Sequence, residues 1–371
     1  MPSPALLDHV SAQGDPRQAW KVVYPLPEVL LVVLCGTLAG GQNFVEIRHR
    51  AGHKLDFRRR LLPFARGIPS HDTLNDVMNA LDARTFGECL IAWVASLRDA
   101  DPDFVAIDGK TSRRARRGEA HPLHVVSAWA SRRRLVIGQQ ATTARGSELT
   151  AIPLLLERLD LTGALVSIDA IGCQRSIAEA IRAKGAGSLL ALKDNWPTLA
   201  EQVRLLFDRA PPGSLDTHET VDADHGRIET RRHAVAREVD WLATDRRLPA
   251  EPRFPGLAAI ARVEAELERD GRITKARRCS LSSAALDARL FARAVRAHWG
   301  IENQLHRVMD GVFHDDLRRL RTQHGPANMA TVRHIALNLL RATPGKQRLA
   351  VKRKAAGWDN QCLLRTITQK P

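Results

Sequence analysis

The chain has 371 residues, 44% apolar and 26% charged, enough for two domains with a sizeable core. Its 56 Lys and Arg outnumber 41 Asp and Glu, and a charge of +15 points to a polyanionic partner, nucleic acid first, although a soluble protein from an Arg-heavy genome would show the same balance. Five scattered cysteines with no CxxC argue for a reducing cytosol and against a disulfide frame or Cys-ligated zinc. No signal peptide or membrane span is expected, since the longest apolar run, 26–40, is too short and contains Glu28.

The first hundred residues read as helical. An apolar run starts among the prolines at 25–27 and stops at Gly40-Gly41, the punctuation of a buried helix. Residues 43–67 are basic and amphipathic. Ser70 and Asp72 are cap candidates before Leu74, Val77, Met78 and Leu81, an apolar stripe. These helices suit either a DNA-binding head or a packed helical cap.

From 103 onward the pattern is α/β. Strands are predicted at 103–110, 124–130 and 133–142, then a helix at 148–159, a strand at 164–172, a helix at 175–185 and a strand at 188–196. A helix at 198–210 opens a β-rich insertion spanning about 197–285, with strands at 227–235, 256–267 and 272–281. Helix returns at 290–313, and a basic tail follows from 346 to 371.

VAID and VSID are matching apolar strands, each ending in an aspartate, Asp108 and Asp169. Strand carboxyl ends are where α/β sheets place ligands. Two adjacent carboxylates repel and call for cations, and hard Mg²⁺ or Mn²⁺ suits oxygen ligands. A strand-end cap is the plainer reading of either aspartate alone. A third acid is sought in HWGIENQLHRVMDGVFHDD, 298–316. On an α-helical wheel Ile301, Leu305, Val308 and Val312 form a stripe, with Glu302 at its border beside His298 and Met309. Asp310 points away and reads as solvated; Asp315 and Asp316 read as surface. His298, Glu302 and His306 share a face, which admits zinc, but Glu takes the middle position rather than following the first His.

AIDGK (106–110), HVVSAW (124–129), SIDAIGCQ (167–174), LLALKDNW (189–196), DHGRIETR (224–231) and 298–316 resemble the DDE transposases of bacterial insertion sequences, in particular the H repeat-associated group. DPR (15–17), YPLPEVL (24–30), IPSHDT (68–73) and KRKAAGWD (352–359) are similar to that group's N-terminal associated region and C-terminus. The resemblance implies an RNase H-like mixed sheet (101–345) carrying the β-rich insertion, after an all-α region (1–100). It implies that Asp108, Asp169 and Glu302 are catalytic and hold two Mg²⁺ or Mn²⁺ ions. Transposon-end DNA would be cut and its 3′-OH joined to target DNA, by a homodimer assembled on double-stranded DNA in the bacterial cytoplasm and nucleoid. DNA contacts are expected from Lys110, Arg113, Arg114, Arg116, Arg117, Lys193, Arg227, Arg231, His298 and His306. His298 and Met309 stand where the wider clan has arginine and lysine. Trp196 and Trp241 fit either core packing or stacking on bases. An inactive DNA-binding relic, or a metal-dependent endonuclease of the same fold, would carry the same pattern.

Overall fold

Proline and glycine set the ends of the first long helix. The computed structural model describes residues 6, 8–9, 14–97, 103–112, 122–142, 148–193, 195–224, 227–239 and 254–368. Helix α1 (Leu26–Leu38) has proline in its first turn and stops where Gly40 takes φ 93°. It is buried on nearly all sides. Its buried Glu28 accepts a hydrogen bond from Phe64 N at 2.7 Å, so the carboxylate caps a loop instead of facing solvent. Helix α2 (Phe44–Gly52) crosses at Gly36, where a Cβ would come within 2.7 Å of Ile47. Only glycine permits that approach. Ser70 and Asp82 cap α3 (His71–Ala80) and α4 (Ala83–Ala95), accepting from Thr73 N and Thr85 N; Asp72 lies inside the first turn of α3.

The strands are β1 (Phe104–Thr111), β2 (His124–Ala130), β3 (Leu135–Thr142), β4 (Leu165–Ile168) and β5 (Gly187–Leu192). Helix α5 (Glu148–Arg158) precedes β4, and α6 (Arg175–Ala183) precedes β5. After α7 (Pro197–Arg209) come β6 (Asp216–Asp224), β7 (Arg227–Ala236), β8 (Ala259–Arg269) and β9 (Arg272–Ser282). All nine strands form one mixed sheet, in the order β3-β2-β1-β4-β5-β9-β8-β7-β6. β1, β4 and β5 run parallel, and the other pairs are antiparallel. The insertion strands therefore extend the main sheet through β9. The sequence reading missed β6, whose DTHETVDAD has no apolar alternation to reveal it.

Helix α8 (Ala288–Gly300) packs on β1 and β4 and also on β6 and β7 from the far edge. The sheet thus curls around it: Phe291 meets His233 edge-on, while Arg293 lies over Phe104. The helix does not continue in α form. Ile301–His306 is a π turn, followed by a short α turn, Arg307–Gly311. A π turn adds a residue to the turn, so the buried positions fall at Ile301, Leu305, Met309 and Phe313, while Val308 and Val312 of the predicted stripe are only half-buried.

Helix α9 (Gly325–Ala342) is buried along most of its length, packing on α1, α3, α4 and β3. Asn328 donates to the Met78 and Leu81 carbonyls. Asn338 both accepts from Val136 N and donates to Val136 O, at the irregularity between β2 and β3. The chain closes with α10 (Leu349–Trp358) and α11 (Asn360–Thr368). Among the described residues, no helix is long and apolar enough to cross a membrane.

Candidate active site at the carboxyl ends of two parallel strands

β1 and β4 pair in parallel with Ile107 opposite Ile168. Asp108, still in β1, and Asp169, the first residue past β4, follow those residues, so they lie level at neighbouring strand ends. Asp108 accepts from Gly109 N at 2.8 Å, and Asp169 from Ile171 N at 3.1 Å. Burial pushes Asp108 up to about 7; the Gly109 N–H opposes this, while the negative charges of Asp169, Glu148 and Glu302 add to it. Glu302, in the first turn of the π segment, is exposed. The three sequence-predicted acids thus share one electrostatic field, joined by Glu148. Among the described residues, no three His, Cys, Asp or Glu side chains converge closely enough to hold one metal ion.

The two histidines are tied to different strands. His298 Nδ1 lies 3.0 Å from Ser167 Oγ on β4, and burial lowers its pKa. His306 Nδ1 lies 3.5 Å from Asp108 Oδ2, and burial pushes it down to about 4, so at neutral pH it is an uncharged neighbour of Asp108. Neither ring projects outward.

Three sequence expectations need correction. Asp310 does not stand free in solvent but is half-buried and ion-paired, because Lys110 reaches it at 2.7 Å and also holds Asp316 at 3.3 Å. Asp315 is not at the surface; it is 6% exposed, ion-paired with the buried Arg333, and accepts from Ser112 Oγ at 3.2 Å. Asp316 is half-buried. The cause in each case is a cation or hydroxyl remote in sequence.

The remaining basic candidates divide. Arg113, Arg114, Arg116 and Arg117 lie outside the described residues, as does Trp241. Lys193 and Arg227 are exposed. Arg231 is 7% exposed, paired with Asp222 and Glu229 at 3.0 and 2.6 Å and lying over Trp299, so in this conformation it braces β7 against α8. Trp196 donates to Cys173 O and meets Phe254 edge-on, a packing role. Sequence reasoning missed a cavity of about 650 Å³ between α8, the β1 start and β6–β7, lined by Arg134, Arg289, Arg293, Arg296, Trp129 and Trp299. The arginines of RLFARAVR recur on one face of α8, a signal that was available.

Comparison with known proteins bears on this geometry. A family model described as "Transposase DDE domain" matches residues 99–339, a span that holds Asp108, Asp169 and Glu302. This chain belongs to the DDE transposase family. A second model, "DDE_Tnp_1-associated", matches residues 7–94. The chain is 34% identical over 349 residues to the "H repeat-associated putative transposase YhhI" of Escherichia coli (strain K12), covering 90% of each. It is 38% identical over 281 residues to the "Uncharacterized protein in dhlA 3'region" of Xanthobacter autotrophicus, covering 74% of this chain and 92% of that protein. A cryo-EM structure of the piggyBac transposase synaptic complex with hairpin DNA matches with a TM-score of 0.46 at 11% identity, over 96% of this chain and 80% of that one.

The raised Asp108 gives this transposase-family chain a pH signature. Unfolded, the carboxyl ionises near 3.8; folded, it holds its proton to about 7. The stabilising difference is complete below 3.8 and is lost as pH rises through 7. Without divalent metal, Asp108→Asn is expected to be more stable than wild type at pH 8 by about 2–4 kcal/mol, with the gap closing toward pH 4. Urea unfolding at both pH values measures this, and an unchanged gap would show that the site does not disfavour the carboxylate.

Proposed function

We propose that the chain is an insertion-sequence transposase that cuts DNA at the element's ends and joins the freed 3′-OH to target DNA, with Asp108, Asp169 and Glu302 as its catalytic acids. The observation that carries this is the level placement of Asp108 and Asp169 at the carboxyl ends of adjacent parallel strands, with Glu302 in the same field. We read the sheet as an RNase H-like core (101–345) with the insertion at about 197–285, between a helical associated region (1–100) and a basic tail (346–371).

In donor chemistry the acids suit Mg²⁺ or Mn²⁺, with Glu302 to be brought in from the π turn to join Asp108 and Asp169. The donor set is all carboxylate oxygen, the nearest imidazole is neutral, and Lys110 is turned to Asp310 and Asp316 instead of Asp108. When bound, a pair of such ions would activate the attacking oxygen and stabilise the leaving one. The chain supplies the rest. β1 fixes Asp108 on sheet backbone, and β4 delivers Asp169 one residue past its end. The π turn carries the third on a different element, so substrate and helix position together complete the site. His306 keeps an uncharged ring beside Asp108 and adds no proton competition at neutral pH.

DNA would be held by exposed cations around this end and along α8. Lys193 and Arg227 remain candidates, and Arg289, Arg293 and Arg296 join them, being exposed along α8. Two ends must be processed together, so a homodimer on double-stranded DNA in the bacterial cytoplasm is the working assembly. The deciding experiment is incubation of labelled element-end DNA with Mg²⁺ or with EDTA. Metal-dependent nicking and joining are expected; a wild-type protein that does neither would sink the reading. A second measurement tests the arginines. Arg289→Ala/Arg293→Ala should weaken binding across all DNA sequences and reduce the log–log salt slope by about 1 per arginine; an unchanged slope would remove α8 from the DNA surface.

A further inference from the structure

A cavity of about 430 Å³ lies where the N-terminal helices meet the last two helices of the chain. Arg50 of α2, Lys54 and Arg58 line one side, and Ala39, Gly357 of α10 and Leu363 of α11 close the other. Gly357 makes that closure possible, because a Cβ there would come within 2.9 Å of the Ala39 carbonyl oxygen.

The charges in this cavity do not balance. Arg58 is 1% exposed and donates through Nη1 to the carbonyls of Ala51 and Lys54, at 3.1 and 3.2 Å. Its Nε and the Lys54 Nζ are shielded from water and have no hydrogen-bond partner among the described residues. The two acids in reach are spent on helix starts. Glu46, which also lines the cavity, accepts from Gln42 N at 3.0 Å and Asn43 Nδ2 at 2.9 Å. Asp359, whose charge is felt at Lys54, accepts from Gln361 N at 2.8 Å and Cys362 N at 3.2 Å. Burial lowers the Lys54 pKa, and the positive charges of Arg58 and Arg50 add to the shift. Shielded cations without an anion are costly. His49 and His53 at the same cavity supply none, since their Nε2 atoms face each other at 3.3 Å. Three positive side chains also disfavour a metal cation here.

We propose that this cavity is a binding site for an oxyanion of the phosphate class, held by Arg50, Lys54 and Arg58, with the DNA backbone or free phosphate as its source. Arg50 is exposed and makes the first contact. Lys54 is half-buried on a flexible stem and turns its ammonium to the ligand. Arg58 supplies a fixed positive floor. The N-terminal region and the basic tail thus build one anion site together, independently of the three acids.

The test uses the full chain as wild type, Arg50→Gln/Lys54→Gln and Arg60→Gln, the last an exposed neighbour outside the cavity that controls for lost charge. Thermal unfolding is compared in inorganic phosphate and in chloride at matched ionic strength. Wild type should melt higher in phosphate, and the double variant should lose most of that rise. Binding of a labelled DNA duplex of arbitrary sequence is then followed across a salt series. With the DNA backbone as source, the double variant lowers the log–log salt slope by about 1–2, roughly 1 per cation; with free phosphate as source, the slope stays and only the thermal rise is lost. Should the double variant not fold, Arg50→Gln alone carries both measurements. A folded variant that differs from Arg60→Gln in neither measurement refutes the site.

Discussion

Asp108→Asn is expected to lose metal-dependent nicking of element-end DNA by roughly a thousandfold, about 4 kcal/mol of barrier at 1.36 kcal/mol per decade. The substitution preserves shape and hydrogen-bonding reach, so the β1–β2 and β1–β4 ladders are retained. The protein should remain folded and, at alkaline pH without metal, be more stable, because the amide removes a buried charge that three other carboxylates repel. Loss of activity together with gained stability separates a functional acid from a structural one. A variant that nicks within tenfold of wild type would remove Asp108 from the catalytic set.

Asp315→Ala should produce the largest loss of stability. Asp315 sits in a short 3₁₀ turn, Asp315–Leu317, entered through His314 in the left-handed region at φ 53°. Its carboxylate meets Arg333 of α9 and Ser112, which follows β1, so it ties the active-site strand to the buried helix. Both partners of the ion pair are less than a tenth exposed. Removing the acid leaves a guanidinium buried without a counter-charge, and such removals cost about 3–5 kcal/mol. Urea unfolding of the variant measures this directly. A loss below about 1 kcal/mol would mean that Arg333 finds another partner or water.

What was legible in the sequence was local. An apolar run that stops at an aspartate is visible in eight residues, so Asp108 and Asp169 could be found and their neighbouring strands anticipated. The caps at Ser70 and the stop at Gly40 are equally short-range signals. What was hidden depends on partners far along the chain or on non-standard geometry. The wheel that sorted the carboxylates of 298–316 assumes α-helical spacing, and the π turn at Ile301–His306 breaks that assumption. Asp315 looked like surface because Arg333 is 18 residues away, and Asp310 because Lys110 is 200 residues away.

The single sheet also has a mechanical consequence. β9 is hydrogen-bonded to β5, β5 to β4, and β4 to β1, so the insertion is welded to the strand that precedes Asp169. A load applied to the β8–β9 hairpin is carried as shear through those ladders toward the strand ends. Bending moments from a bulky polymer lying across the insertion would reach the acids as small displacements of rigid backbone, and α8, clasped inside the curl, would move with them.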